Sequence, residues 1–456
     1  MDIPSPRLRG EFEAAIWRAI PLKGMVERFF VHNVQRDTET MKLQTNALFA
    51  ALLCATLFLA AHPAAAEEAA PAKNTNTVRP EIGKPIQAAI DFVKAKKGKE
   101  ALAKVRETDA IADKTPYETF VIQEVLGQAA AMAGEAATAA RAFEAAAGSA
   151  QAKENEKLQF LAAAASQYYV ARDYAKCAEL ASHYLKDGGS EKSVRTLQIQ
   201  SLYLGNDFAR ASRELQADLQ ADEQAGRTPS EDRLQLLSSV AQKLQDNTAY
   251  ANALEKLVAH YPKRDYWLAV IYATASRANF SDRLSLDLGR LKLATNTMRS
   301  TGEYVEMAQL SLQAGYPAEA KKIIDQGYAA NLLGSGADAD RHKRLRDLAA
   351  KNLAEDRKTL GQDDAQAANA KDGTALLNTG FNYVLNGQAD KGLAMMEAAL
   401  KKGGLKRIDD ARLHLGYAYH VAGQEAKAAQ HFKSVQGNDG SAALARLWVL
   451  HVGQGG

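Results

Sequence analysis

At 456 residues, with a formal charge of +3 and 46% hydrophobic and 24% charged residues, the chain reads as an ordinary foldable polypeptide, neither disordered nor multi-pass. Two cysteines exclude a disulfide scaffold or a four-thiolate metal site, and the near-neutral charge speaks against a dedicated nucleic-acid binder. Aromatics amount to only 7%, while alanine recurs in every helical stretch, a mix that suits closely packed helices and not a β-sandwich.

The chain opens with an address. Residues 47–61 (ALFAALLCATLFLAA) form an uncharged apolar run after Lys42, followed by Ala64-Ala65-Ala66 and Glu67-Glu68. This is the layout of a secretory signal over 41–66, cleaved after Ala66. The run is shorter than the roughly 20 residues that span a bilayer, so a retained anchor is the alternative. Residues 1–40 are either a non-native extension ahead of a start at Met41 or the cytoplasmic tail of such an anchor. Cys54 follows Leu52-Leu53 and lacks the small residue that a lipoprotein signal needs. Cleavage would leave Cys177 alone, with no internal disulfide. Residues 67–84 are polar and proline-punctuated, and a disordered linker is expected there.

From residue 85 a two-helix unit repeats. One copy reads Leu126-Gly127-x2-Ala130, Gly134, Ala139-x3-Phe143; another reads Leu415-Gly416-x2-Tyr419, Gly423, Ala428-x3-Phe432. Between them stand Thr379-Gly380-x2-Tyr383, Gly387 and Gly392-x3-Met396. Weaker copies keep small residues twelve apart: Ala89 and Ala101, Ala165 and Cys177, Ile199 and Ala211, Ala241 and Ala253, Ala308 and Ala320. Turn signals fall between the partners, as Gly134, Gly315, Gly387 and Gly423 or as Asp173-Tyr174 and Asp207-Phe208. Small residues at paired positions let antiparallel helices approach. Larger ones such as Phe143, Tyr168, Leu257, Ile324 and Phe432 then fill the grooves, and no pair covers its apolar face alone. Two pairs diverge: one at 266–298 around Trp267, Leu284 and Leu288, the other at 338–360, a charged stretch expected as one solvated helix. Residues 361–373 read as a flexible connector, and 441–452 as a capping helix.

These spacings resemble the tetratricopeptide repeat, a 34-residue helix–turn–helix unit with the pattern L-G-x2-Y…A-x3-F. The resemblance covers most of the chain after the signal and, with that signal, suggests an exported bacterial envelope member. It implies an all-α fold of tandem helix–turn–helix repeats in a right-handed α-solenoid. The array would comprise 85–330, a charged helix and connector at 331–373, a C-terminal pair at 374–436, and a cap and tail at 437–456. It also implies a concave face lined by the first helix of each pair. The candidates for that face are Gln128, Ser166, Tyr169, Gln200, Tyr203, Gln242, Gln309, Phe381, Tyr417 and His420. This set is neutral and rich in amides and phenols, which suits hydrogen bonding to an extended backbone. Replacing Tyr169 and Tyr203 by alanine is expected to weaken partner capture without unfolding the array.

No phosphate loop, H-E-x-x-H, G-x-S-x-G or kinase motif is present. Gly334-Ser335-Gly336 reads as a helix-ending turn, and Tyr261 to Trp267 as a loop plus core aromatics. His414 and His420 stand six apart, on different helix faces, so no metal site is expected. Cys177 sits at a crossing point as a small buried side chain. Arg341 to Arg346 (RHKRLR) is flanked by Asp338, Asp340 and Asp347, as on a salt-laced exposed face. The expectation is a periplasmic scaffold that binds a protein or extended peptide, with no catalysis, no cofactor, no nucleic acid and no stable membrane span. The alternative is an accessory subunit of a secretion, polysaccharide-export or outer-membrane assembly complex. An enzyme within the helical array is a third possibility.

Overall fold

Small residues twelve apart become the crossing points of antiparallel helices. The structure, a computed structural model, describes residues 77–454 apart from residue 363. The expected signal, the extension before it and most of the expected linker lie outside the described residues. Twenty-one α-helices and one short 3-10 turn, with no strand among the described residues, make the fold all-α. It is a tandem array of helix–turn–helix pairs, an α-solenoid. The chain divides into two compact units. One runs to Gly226 and includes Ser239–Leu244; the other takes Arg227–Ser238 and the chain from Gln245 onward.

Among the described residues the first unit holds eight helices in four hairpins: α1 Pro80–Lys94, α2 Gly98–Arg106, α3 Pro116–Ala133, α4 Ala136–Ala147, α5 Glu154–Val170, α6 Tyr174–Lys186, α7 Lys192–Leu204 and α8 Phe208–Gln224. Ala89, Ala101, Gly127, Ala139, Ala165, Cys177, Ile199 and Ala211 are all buried where these helices cross. A methyl group on Gly127 would lie 2.5 Å from the Phe143 ring, so the glycine and the phenylalanine of that repeat require each other. One continuous apolar core runs from Ile82 to Leu197, as stacked hairpins demand.

Turn chemistry sets the hairpins. Gly134 ends α3 at a φ of 84°, and the next N–H, of Glu135, returns to the Ala130 carbonyl at 2.8 Å. In the α5–α6 and α7–α8 turns Arg172 and Asn206 take the same left-handed conformation. Asp173 and Asp207 then cap the following helices, each accepting a backbone N–H at 3.1 Å.

The second unit contains α10 Asn247–His260, α11 Arg264–Ala275, α12 Ser285–Ala294, α13 Thr301–Gln313, α14 Pro317–Ala329, α15 Ala339–Thr359, α16 Asp364–Asn369, α17 Thr374–Leu385, α18 Ala389–Lys402, α19 Ile408–Val421, α20 Glu425–Lys433 and α21 Ser441–Val452. Helix α9, Glu231–Lys243, has residues in both units. At the crossing of α17 and α18 a methyl group on Gly392 would lie 2.4 Å from the Gly380 carbonyl oxygen. Backbone meets backbone there, and a larger side chain would force the hairpin apart.

Three boundaries differ from the sequence reading. Helix α1 begins at Pro80, inside the stretch 67–84 expected to be disordered. Proline suits a helix's first position, and Arg79 is anchored by the Glu118 carboxylate through its N–H at 3.0 Å and Nε at 2.8 Å. The connector expected at 361–373 contains α16, which packs on α17. Ala367 is buried, and Asp364 accepts from the Tyr383 hydroxyl at 2.9 Å and from Lys391. Helix α21 does more than cap the end. It packs on α20, and also on α10 and α11, almost two hundred residues earlier. Arg446 pairs with Glu255 at 3.4 Å, Gln454 donates to the Val258 carbonyl at 2.9 Å, and His451 lies 5.9 Å from Trp267, ring to ring. The second unit therefore closes on itself. No described helix is long and apolar enough to cross a membrane.

Candidate functional site

In the first unit the candidate surface follows α3, α5 and α7. Helix α3 is fixed at its start by a reciprocal cap. Thr115 accepts the Glu118 N–H at 3.1 Å, and Glu118 accepts the Thr115 N–H at 2.9 Å. Bonds from Arg79 hold the Glu118 carboxyl down at about 2, and buried Glu118 thereby ties the start of α1 to α3.

Further along the same helix lie Glu124 and Gln128, one turn apart and so on one face. Each is only 4% exposed, and among the described residues neither side chain makes a hydrogen bond. Burial, with Glu156 of α5 adding repulsion, pushes the Glu124 carboxyl up to about 7. Helices α3 and α5 are neighbours, with the rings of Phe120 and Phe160 5.9 Å apart.

On α5, Ser166 and Tyr169 are buried, and the Tyr169 ring lies edge-on to Tyr174 at 5.7 Å. On α7, Gln200 is buried and its carbonyl oxygen accepts no hydrogen bond. Tyr203 is half-buried, sharing a hydrogen bond of 2.9 Å with Ser239 and packing on Phe208. Gln242 is also half-buried. Because Tyr169 and Tyr203 are packing residues, replacing both by alanine would also cost stability. Phenylalanine is the substitution that separates hydroxyl from ring.

The second unit places its candidates differently. Gln309 is exposed on α13. Phe381, Tyr417 and His420 come together, but against the chain's own side chains. The Arg290 guanidinium lies over the rings of Phe381 and Tyr417 at 4.9 and 5.0 Å. His414 stacks on Phe381 at 5.5 Å, and His420 meets Trp448 at 5.1 Å and donates from Nδ1 to the Glu425 carboxylate, 3.0 Å away.

Arg290 is itself fully buried. It donates twice to Glu319 at 2.8 Å and once to Asp287 at 2.7 Å, while Asp287 also meets His414 at 3.1 Å. Burial opposes ionisation of Asp287, but His414 and Arg290 hold its carboxyl below the usual range. This cluster glues α12 to α14, α17 and α19.

The remaining singled-out residues are structural. Burial pushes the Cys177 thiol up to about 12, so it carries no thiolate at neutral pH. Tyr266 and Trp267 are core residues, and the Tyr261 hydroxyl donates to the Pro229 carbonyl at 2.9 Å. Gly334 and Gly336 form a left-handed turn after α14. Of the basic run, Arg346 pairs with Asp325 at 3.0 Å and covers the Tyr328 ring at 4.6 Å. The repeat positions Leu126, Gly127, Ala139, Phe143, Tyr168, Gly380, Tyr383, Gly416, Tyr419, Ala428 and Phe432 all lie within helix pairs. Leu126 is half-buried and the others are buried.

Glu124 and Arg290 were absent from the sequence-derived candidates. Glu124 was within reach of that reasoning, because it stands one turn before Gln128. Arg290 was not, because it lies in a divergent pair with no repeat pattern to align it.

A carboxyl raised in the folded state binds its proton there at a pH where the unfolded chain has lost it. Stability contributed by that proton is complete below about pH 4.5 and is lost as pH rises through about 7. Glu124→Gln should therefore stabilise the first unit by about 1–3 kcal/mol at pH 8 and by almost nothing at pH 4.5. Urea titrations at the two pH values measure this, and equal effects at both would contradict it.

No protein-family profile matches the chain, and no curated protein matches it. Solved structures similar to it include Naa15/Naa10 bound to HypK-THB, at 15% identity and a TM-score of 0.25, covering 78% of this chain. The chain spans 58% of that structure's length. Yeast Tom70 is similar at 12% identity and a TM-score of 0.22, covering 82% of this chain and 96% of its own. The TPR domain of P58(IPK) gives 11% identity and a TM-score of 0.20, covering 81% and 98% respectively. The assignment of the fold rests on the helix pairs themselves.

Proposed function

We propose that this protein is a tetratricopeptide-type scaffold, exported to the periplasm, whose first unit captures an extended segment of a partner protein without catalysis. The observation that carries the reading is the row of recessed polar side chains on α3, α5 and α7. Glu124 and Gln128 are each only 4% exposed, and the buried Gln200 carbonyl oxygen accepts no hydrogen bond among the described residues. Buried polar groups ordinarily find partners, and here a bound backbone would supply them. The equivalent positions in the second unit, Phe381, Tyr417 and His420, are already occupied by Arg290 and Trp448. Capture is therefore assigned to the first unit.

Site-specific photocrosslinking in cells tests this. A crosslinking side chain at position 203 or 242 should trap a partner, whereas one at exposed Leu348 on α15 should not. Equal yields at all three positions would defeat the reading. Export is checked separately by an alkaline phosphatase fusion after residue 226, which is active only outside the cytoplasm. An accessory subunit of an export or assembly machine is a narrower form of the same reading, and the identity of the trapped partner decides it.

A further inference from the structure

Independently of that reading, we infer that the cleft between α14 and α15 of the second unit binds a small zwitterion, a molecule that carries an ammonium and an oxyanion on one apolar body. The two helices pack together and leave a cavity of about 580 Å³, whose lining includes Lys321, Tyr328, Asp340, Lys343, Arg346 and Asp347. Small-molecule sites commonly measure roughly 300–1,000 Å³. Helical spacing brings the lining together. Lys321, Asp325 and Tyr328 recur every three or four positions on α14, as Asp340, Lys343, Arg346 and Asp347 do on α15, so each set shares one helix face.

One wall of the cleft is fixed by the chain itself. Asp325 accepts from Arg346 Nε at 3.2 Å, stands 3.0 Å from one terminal nitrogen of the same guanidinium, and pairs with Lys321. These bonds hold the guanidinium 4.6 Å from the centre of the Tyr328 ring. The turn before α15 presses on that ring as well. A methyl group on Gly334 would lie 2.3 Å from it, and the Gly334 N–H donates to Nδ1 of buried His342 at 3.2 Å. Turn, ring and guanidinium are thus held in place, which reduces the ordering that a ligand must impose.

The other charges of the lining are unmatched. Asp325 is matched twice, whereas Lys343, Asp340 and Asp347 make no ion pair among the described residues. A lone anion would meet Asp340 and Asp347, and a lone cation would meet Lys321, Lys343 and Arg346. A molecule of both signs avoids either repulsion. Its oxyanion takes N–H donors from Lys343 and Arg346, its ammonium faces Asp340 and Asp347, and its apolar part lies against Tyr328. A free α-amino acid and an ethanolamine phosphate headgroup share this chemistry, and the aromatic wall favours the amino acid with an apolar side chain.

Ligand-observed NMR titration of the purified protein tests this with four probes. They are phenylalanine, N-acetylphenylalanine without the ammonium, phenethylamine without the carboxylate, and phosphoethanolamine. Phenylalanine should bind about fivefold more tightly than either one-charge probe, the most that one solvent-exposed ion pair supplies. Lys343→Gln, which breaks no ion pair of the fold, should weaken phenylalanine and N-acetylphenylalanine and leave phenethylamine unchanged. Asp340→Asn together with Asp347→Asn should instead weaken phenylalanine and phenethylamine. Arg344→Gln, on the same helix but outside the lining, should alter none of them. Tighter binding of phosphoethanolamine than of phenylalanine supports the inference and assigns the headgroup as the source. Phenylalanine binding no better than either one-charge probe overturns it. So does binding that Lys343→Gln leaves intact, binding that Arg344→Gln weakens equally, or binding of none of the four.

Discussion

Replacing Arg290 by methionine should destabilise the second unit by about 3–5 kcal/mol, the cost of breaking a buried ion pair from one side. Asp287 and Glu319 would remain buried with their charges, and the guanidinium's stacking on Phe381 and Tyr417 would be lost. Trp267 and Trp448 both lie in the second unit, so their fluorescence in a urea titration reports on it. A combined variant, Arg290→Met with Asp287→Asn and Glu319→Gln, should recover much of the loss because it strands no charge. If the single variant costs less than the combined one, the cluster is not held by its ion pairs.

Trp448→Ala should cost a similar amount, about 3–5 kcal/mol, for a different reason. Its indole is fully buried, stacked on Phe432 at 5.4 Å, and bordered by Tyr417, His420 and His451 at 5.1–5.7 Å. The cavity left behind would loosen α21 from α20 and, through α21, free its contacts with α10 and α11. Amide exchange should then accelerate in α10 as well as in α21. Unchanged protection in α10 would show that the closure of this unit does not depend on Trp448.

The groove and the closed unit were legible to different degrees. Gln128, Gln200 and Tyr203 came out of the repeat register alone, because one face of each first helix recurs at a fixed offset from the crossing residues. Their chemical state did not. Nothing in the local sequence around Glu124 says that its carboxyl is buried and acted on by Glu156, since that depends on how α3 stacks on α5. Phe381, Tyr417 and His420 obey the same offset and face the chain's own side chains instead. Their register was readable; what covers them was not. The linker boundary failed for a related reason: Arg79 and Pro80 look like loop chemistry until Glu118, thirty-nine residues on, supplies the anchor.

The amino-acid sequence by itself determined the repeating hairpin. Small residues twelve apart, glycine or Asp-capped turns between them, and aromatics beside them act within some thirty residues, where covalent spacing controls geometry. Only the tertiary structure decided where the array is open and where it is filled. Arg290 meeting Phe381 and Tyr417, and α21 meeting α10, join residues roughly a hundred to two hundred positions apart. Such meetings depend on the summed rotation of successive hairpins, to which every joint adds a little and which no single motif encodes.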